Sequence, residues 1–448
     1  MELYEHQIKC LNETKNFNKV AYYLDMGLGK TFVGSEKLIQ LKARMNLVIC
    51  QKSKIKDWKK HFEEFYPYVI ISDLTTKQGY EYFRLANEGK TQLIGFHVGI
   101  VNYELAWRRK ELLNLKDFTL MLDESSLIQN KTAKQTKFIL KLNPKNTILL
   151  SGTPCSGKYE NLWTQINLLG WNISEDLYNK QYVNWKSLDL GKFKTKIVDK
   201  DDPYKNIERL KDKLRLHGSI FMKTEECFNL PKQNFITIEC ETPEFYKKFM
   251  KTNIITIDTL NLIEFHDESD FEGVDITPRI ELVGDTSLTK RLYARMICSR
   301  YNKNKLNNFK ELIQSTKDRL IVFYNFNNEL EKLKEICSNQ GKEISIVNGQ
   351  TKDLKAYETE ENSVTLIQYQ AGAMGLNLQK ANKIIYFSLP ERSELFEQSK
   401  KRIHRIGQDK PCFYYYLITE KTIEVDILET LKMRKDYTDE LFKLKEGE

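Results

Sequence analysis

Ten residues near the start of the chain, YLDMGLGKTF (23–32), hold at close spacing the groups that binding a triphosphate requires. Gly27 and Gly29 let the backbone curl around phosphate oxygens. Lys30 is long enough to reach the β and γ phosphates, and Thr31 offers a hydroxyl to magnesium where a helix begins. The usual phosphate loop has a glycine six residues before the lysine, where this chain has Leu24. A second constellation, FTLMLDESS (118–126), places Asp123 and Glu124 where an apolar run stops. That is the carboxyl end of a strand, where ligands of open α/β sheets gather. Asp123 there suits a magnesium ion, and Glu124 suits orienting or deprotonating an attacking water. A third, EQSKKRIHRIGQDK (397–410), spaces Gln398, Arg402 and Arg405 at i, i+4 and i+7, one face of a helix. Two guanidinium groups so placed could stabilise charge that develops on a γ-phosphate only in the transition state.

Elements of two kinds must position these groups. The runs KVAYYL (19–24), NLVIC (46–50), YVIISDL (68–74), TQLIGFH (91–97), FTLMLD (118–123) and NTILLSG (146–152) read as buried strands. Between them lie helical patterns such as 54–65, where Ile55, Trp58, Phe62 and Phe65 form a core-facing stripe. A second strand series follows: RLIVFYNF (319–326), EISIVNG (343–349), VTLIQYQ (364–370), KIIYFSL (383–389) and CFYYYLIT (412–419). Strands alternating with helices predict parallel sheets flanked by helices. The fold class is therefore α/β, in two domains, 1–228 and 229–448, joined near FNLPKQ, where Pro231 interrupts any helix. Each domain is expected to carry a lysine-rich, largely helical insertion, at about 155–225 and about 243–315. The second includes an acidic patch, EFHDESDFEGVD (264–275), and a basic segment, TKRLYARMICSRYNKNK (289–305), a candidate DNA-binding surface.

Composition narrows the class. At 448 residues the chain exceeds one comfortable core, and a hydrophobic fraction of 41% is ample for globular folding. The net charge of +8, spread over that length, points only weakly to a polyanion. The eight cysteines are scattered without a Cys-x-x-Cys pair or a histidine at metal-ligand spacing, which predicts reduced structural thiols and no zinc site. No signal peptide and no stretch able to span a bilayer is visible, so a cytoplasmic enzyme without a membrane partner is expected.

Taken together, DMGLGKT (25–31), DESS (123–126) and LLSGTP (149–154) resemble motifs one, two and three of helicase superfamily two, and in detail its Swi/Snf-type double-stranded DNA translocases. The resemblance runs across nearly the whole chain. LVICQKSKIKDWKKHFEEF (47–65) is similar to the family's strand followed by a Trp-bearing helix, GIVNYELA (99–106) to its next DNA-facing motif, and YENLWTQINLLG (159–170) to the segment after motif three. NLPKQ (229–233) resembles the link into the second lobe. LIVFYNFNNELEKL (320–333), QYQAGAMGLNLQKANKIIYF (368–387) and 397–410 resemble motifs four, five and six.

The resemblance implies two tandem RecA-like domains and a monomeric motor that hydrolyses ATP with magnesium to track along double-stranded DNA and remodel it or DNA-bound protein. It implies ATP contacts at Gln7, as the adenine reader, and at Met26, Gly27, Leu28, Gly29, Lys30, Thr31 and Gly375. Catalysis falls to Lys30, Asp123, Glu124, Gln398, Arg402 and Arg405, and magnesium to Thr31 and Asp123. Lys52, Ser53, Asn102, Tyr103, Asn325 and Gln370 are the candidates for DNA phosphates. The chain also departs from the pattern. Ser126 stands where the family usually has histidine, Met222, Lys223 and Thr224 where it often has paired arginines, and Ala373 where motif five usually has glycine. Ser126 leaves open a weakly hydrolysing, nucleotide-dependent clamp, and the superfamily also contains RNA-directed and strand-separating enzymes. The absence of a chromatin-reading, nuclease or zinc module resembles compact bacterial and viral forms.

Overall fold

In a computed structural model, residues 2–91, 95–189, 194–258, 279–372 and 376–442 are described. Gly375, Ala373 and the acidic patch 264–275 lie outside them. The chain divides into two units: residues up to Asn229 together with those from Arg434 onward, and Leu230–Met433.

The first unit is built on seven strands: β1 (Lys19–Leu24), β2 (Met45–Cys50), β3 (Val69–Asp73), β4 (Phe96–Asn102), β5 (Thr119–Asp123), β6 (Asn146–Ser151) and β9 (Ser219–Met222). Their order is β3-β4-β2-β5-β6-β1-β9 and every pairing is parallel. Near-continuous apolar runs form these strands because both faces of a parallel sheet are covered. One face is closed by α1 (Glu5–Glu13), α2 (Lys30–Gln40) and α3 (Ile55–Phe65), which bury Cys10, Leu11, Val33, Leu38, Trp58 and Phe62 against it. Gly34 lets α2 press close, since a Cβ there would lie 2.8 Å from Leu150 Cδ1.

The second unit repeats the plan with β10 (Gln233–Cys240), β13 (Leu320–Tyr324), β14 (Glu343–Val347), β15 (Lys352–Asp353), β16 (Ser363–Gln368), β17 (Lys383–Tyr386) and β18 (Cys412–Thr419). The order is β10-β18-β17-β13-β16-β14-β15, parallel except for the last pair. All eight cysteines are free thiols, and burial pushes Cys155 and Cys337 up to about 12. Among the described residues no helix is long and apolar enough to cross a membrane.

The structure corrects several boundaries. The expected strand 91–97 instead runs Phe96–Asn102, in the register that pairs Met45 with His97 and Cys50 with Asn102. The expected helical insertion 155–225 contains an antiparallel hairpin, β7 (Trp185–Asp189) with β8 (Lys194–Val198), and ends in β9, which completes the first sheet beside β1. In the span 243–315, β11 (Ile254–Asp258) pairs with β12 (Arg279–Val283), and the helix Lys303–Gln314 is a layer of the domain itself, with Leu306, Phe309 and Ile313 in its core. The strand β10 carries no periodic signal separate from its linker and was not expected. Finally, not all of 229–448 belongs to the second unit. Leu441 and Phe442 are buried in the core of the first, with Tyr437 packed beside them.

That return is energetically substantial, because burying a leucine fully from water and then removing it costs both transfer energy and a cavity. Leu441→Ala is expected to destabilise the first unit by about 2 to 4 kcal/mol, read as a lower urea midpoint for that unit. An unchanged midpoint would show that the tail does not belong to this core.

Candidate nucleotide site

Sheet register brings the three motifs of the first unit to one edge. Asp123 pairs with Leu150, and Leu150 with Tyr22, so β5, β6 and β1 end side by side at their carboxyl ends. From β1 the chain turns through Asp25–Gly29 into α2. Gly27 and Gly29 have φ of 93° and 71°, a region that favours glycine. Gly29 is doubly required: a Cβ there would lie 2.2 Å from Gln7 Nε2.

The turn leaves donors unsatisfied. Among the described residues no acceptor meets the backbone N–H of Gly27, Gly29, Lys30 or Thr31. Four such donors at the start of an eleven-residue helix make a nest for an anion. Lys30 Nζ is held by the loop's own carbonyls, donating to Leu24 O at 2.9 Å and Asp25 O at 3.2 Å. Gly152 of the third motif lies against the same ammonium: a Cβ there would be 3.5 Å from Nζ. Leu28 faces the core, so its part is made by backbone, and its carbonyl accepts from His6 Nε2 (3.0 Å) and Gln7 Nε2 (3.2 Å). The loop is pinned from its other side by Thr224, whose hydroxyl donates to Asp25 Oδ2 (3.1 Å) and to Met26 O (3.2 Å).

At the end of β5, Asp123 accepts a hydrogen bond from Trp58 Nε1 at 2.8 Å. Burial pushes the Asp123 carboxyl upward, opposed by this bond and by the nearby charges of Lys30 and Lys54. Glu124 sits in the left-handed region (φ 54°, ψ 59°), a strained backbone of the kind that persists where neighbours over-determine it. Two neighbours do so. Tyr103 OH donates to Asp123 O at 2.8 Å, and Gln165, fully buried, accepts from Ser125 Oγ (2.7 Å) and Tyr23 OH (3.1 Å) while donating to Pro154 O (2.6 Å). One glutamine thus ties β1, the second motif and the third together. Ser126 is buried next to this network.

These residues fit a nucleotide with magnesium. The donors beside the amide nest are oxygens, the Thr31 hydroxyl and the Asp123 carboxylate, which suits a hard cation that keeps phosphate and water ligands rather than an all-protein cage. No cluster of three or more His, Cys, Asp or Glu able to hold a metal occurs among the described residues.

Other expected positions come out differently. Gln7 is buried with its amide oxygen accepting from Tyr4 N (3.0 Å) and Nε2 donating to Leu28 O, which leaves one amide hydrogen for a base edge. Lys52 and Ser53 are exposed on the short turn before α3, and Gln370 is exposed too. Tyr103 is a support inside the core rather than a phosphate contact, because its ring is buried and its hydroxyl committed. Asn102 is buried and donates to Glu104 Oε2 (2.6 Å), and half-buried Asn325 donates to Ser388 Oγ (3.0 Å) and Leu389 O (2.9 Å), so each amide nitrogen is already engaged. Four of the six cations of the basic segment 289–305 are already bonded within the protein, while Lys303 is exposed. Lys290 donates to Met250 O (2.7 Å), Arg291 and Arg295 pair with Glu391, and Lys305 is buried against both oxygens of Glu424 (2.7 Å).

In the second unit the helix holding Gln398 ends at Lys400, so Gln398, Arg402 and Arg405 do not share one helical face. The backbone turns because Arg402 O accepts from Leu378 N (3.1 Å), pairing this segment with 376–381 instead of continuing the helix. Arg405 Nη1 donates to Asn377 Oδ1, Arg402 is buried, and Gln398 Nε2 reaches Glu394 Oε1 at 3.5 Å. Sequence reading missed Gln165, Thr224 and the Trp58 indole. The tryptophan fell within an ordinary apolar stripe, and the two polar residues carry no spacing signal.

Comparison with known proteins agrees with the motif order. The family model for the SNF2-related domain matches residues 23–342, and that for the helicase conserved C-terminal domain matches 304–407. The ISWI chromatin-remodeling complex ATPase ISW1 of Saccharomyces cerevisiae is 25% identical over 97% of this chain and 40% of its own length. The putative ATP-dependent helicase/translocase YwqA of Bacillus subtilis is 24% identical over 93% of this chain and 46% of its own. The chain therefore spans less than half the length of either relative. A solved SWI2/SNF2 ATPase core of Sulfolobus solfataricus in complex with dsDNA aligns over 98% of this chain and 92% of that one, at 19% identity and a TM-score of 0.43.

One titratable group joins the two helices behind the site. His61 of α3 bonds Ser35 Oγ of α2 (2.9 Å) among the rings of Phe32, Trp58 and Phe65, and burial lowers it to about 4. It is neutral at neutral pH. A histidine whose folded value lies below its ordinary value of about 6.5 keeps its full contribution above that pH, and loses it as pH falls toward 4. Stability of the unmodified chain should therefore drop on acidification through that window more steeply than that of His61→Phe. Parallel curves by denaturant titration would show that the imidazole is not buried neutral.

Proposed function

The chain belongs to the SNF2-related domain family, and from that premise we propose that it is a DNA-dependent ATPase that uses hydrolysis to track along double-stranded DNA and to remodel the DNA or protein bound to it. The observation that carries this reading is the edge where four unpaired amides, Lys30, Asp123 and Glu124 converge. A triphosphate would take the amide nest, and Lys30 would exchange two carbonyl dipoles for phosphate oxygens, a charge-assisted contact that its present bonds hold in readiness. Magnesium, held by Thr31 and Asp123, would neutralise charge developing on the β and γ phosphate oxygens. Glu124, fixed by the strained turn, would orient the attacking water.

Arg402 and Arg405 are proposed as the cations that meet the γ-phosphate charge, a contribution of about 10³ to 10⁵ in rate in other nucleotide hydrolases. Asn377 gives Arg405 a neutral partner that it can leave without breaking an ion pair. Gln398 would assist from the same segment and Gln7 would read adenine with its remaining amide hydrogen. DNA contact falls to Lys52, Ser53 and Gln370, which are exposed. Contacts of this kind go to phosphates and carry no base information, as tracking requires. We further propose that the chain works as a monomer.

ATP turnover measured with double-stranded DNA, single-stranded DNA and RNA tests this. Duplex DNA should stimulate most. Strongest stimulation by RNA would assign the chain to an RNA-directed enzyme, and no stimulation by any polymer would favour the clamp that Ser126 leaves open. Lys30→Ala and Glu124→Gln should each lower turnover by at least about a hundredfold, with folding intact by circular dichroism. Retained hydrolysis in either would overturn the site assignment.

A further inference from the structure

α3 bonds to two elements of the nucleotide site, the end of β5 and α2. It starts from the exposed turn Lys52–Lys54, where Lys54 Nζ reaches Asp57 Oδ2 at 2.9 Å. One turn later Trp58 sends its indole N–H to Asp123 Oδ2 at 2.8 Å, and a further turn brings His61 to Ser35 on the helix that carries Lys30 and Thr31. Tyr66, just after α3, adds a bond to Glu36 Oε1 of that same helix (2.7 Å). Trp58 is almost wholly buried, so its one polar hydrogen must find a partner, and α3 spends it on a carboxylate rather than on a backbone carbonyl. A donor bonded to a ligating carboxylate fixes the orientation of the oxygens that face the metal.

We propose that Trp58 is the positioning residue for Asp123, and that through α3 it links that carboxylate to whatever polyanion occupies the Lys52–Lys54 turn. The inference rests on the assignment of Asp123 to magnesium. A phosphate backbone drawing Lys52 and Ser53 would displace the start of α3, and the indole would carry that displacement to Asp123. By linkage, magnesium nucleotide and duplex DNA must then change each other's affinity by the same factor.

Binding of N-methylanthraniloyl-ADP, measured by fluorescence with and without magnesium and with and without a duplex, reads this without turnover. Trp58→Phe should weaken the magnesium-dependent part of the affinity about tenfold, leave magnesium-free binding unchanged, and abolish the change in affinity that the duplex causes in the unmodified chain. Trp163→Phe is the control, since Trp163 Nε1 donates to the Ile173 carbonyl (3.0 Å) and loses only a structural bond. Should Trp58→Phe fold poorly, 3-benzothienylalanine at position 58 keeps the ring's bulk and removes only the N–H, and the same changes are expected. Affinities matching the unmodified chain in either variant would overturn the proposal, and so would an equal loss with and without magnesium. A duplex effect that survives the loss of the N–H would overturn the link to the turn. An unmodified chain whose nucleotide binding ignores magnesium would instead overturn the assignment of Asp123, and with it the function proposed above.

Discussion

In a parallel sheet every strand finishes at the same edge, and in the first unit that constraint is what the site depends on. The order β5-β6-β1 sets three loops side by side: one that ends in two carboxylates, one that presents Gly152, and one that leaves four amides unpaired. None of these is a binding site alone. A slip of one residue in the pairing of β5 with β6 would turn Asp123 to the opposite face of the sheet and take its carboxylate away from Lys30. The apolar faces of β5 and β6 resist such a slip, since Leu120, Met121 and Leu122 and Ile148, Leu149 and Leu150 are all fully buried, and any shift would exchange core neighbours on both sides.

Behind the edge the chain uses buried polar side chains where a core would ordinarily be apolar. Gln165 is satisfied on its oxygen by two hydroxyls and on its nitrogen by a carbonyl, and Lys37 spends its ammonium on Thr14 O (2.7 Å), locking α1 to α2 despite a burial that lowers its affinity for the proton. Such groups cost desolvation and contribute little net stability when paired, but losing one partner strands the other, so they tolerate a single arrangement. That is what a site with a left-handed Glu124 needs: the strain is held because Tyr103, Ser125 and Gln165 leave the turn no alternative pairing.

Most of this architecture was legible in the sequence for a simple reason. Strands such as KVAYYL and CFYYYLIT are apolar except for one terminal residue, so their existence and ends follow from composition, and both match the observed bounds. Phosphate-loop glycines carry a backbone requirement that other residues meet only under strain. What escaped was set by tertiary partners. β9 and β10 are strands because a sheet edge was available to them, and SIFM or QNFITIEC has no periodicity that says so. Asn102 and Tyr103 read as candidates for DNA phosphates, yet Asn102 ends β4 and both are buried, bonded to Glu104 and to the Asp123 carbonyl. The spacing of Gln398, Arg402 and Arg405 fits a helix, but the helix stops where Leu378 claims a carbonyl.

The basic segment 289–305 shows why charge counted along a chain differs from charge offered to a partner. Arg291 and Arg295 share Glu391, Lys290 caps a carbonyl, and Lys305 neutralises Glu424 out of reach of solvent. A cation already bonded must give up that partner before it meets a phosphate, so its net gain is a difference rather than the whole contact. The net charge of +8 already counts Glu391 and Glu424 against these cations, so their pairing changes where charge is offered rather than how much there is. On the proposed reading, contact through phosphates alone carries no base information, which suits a motor that must release its grip in every cycle better than a protein that holds one place on DNA.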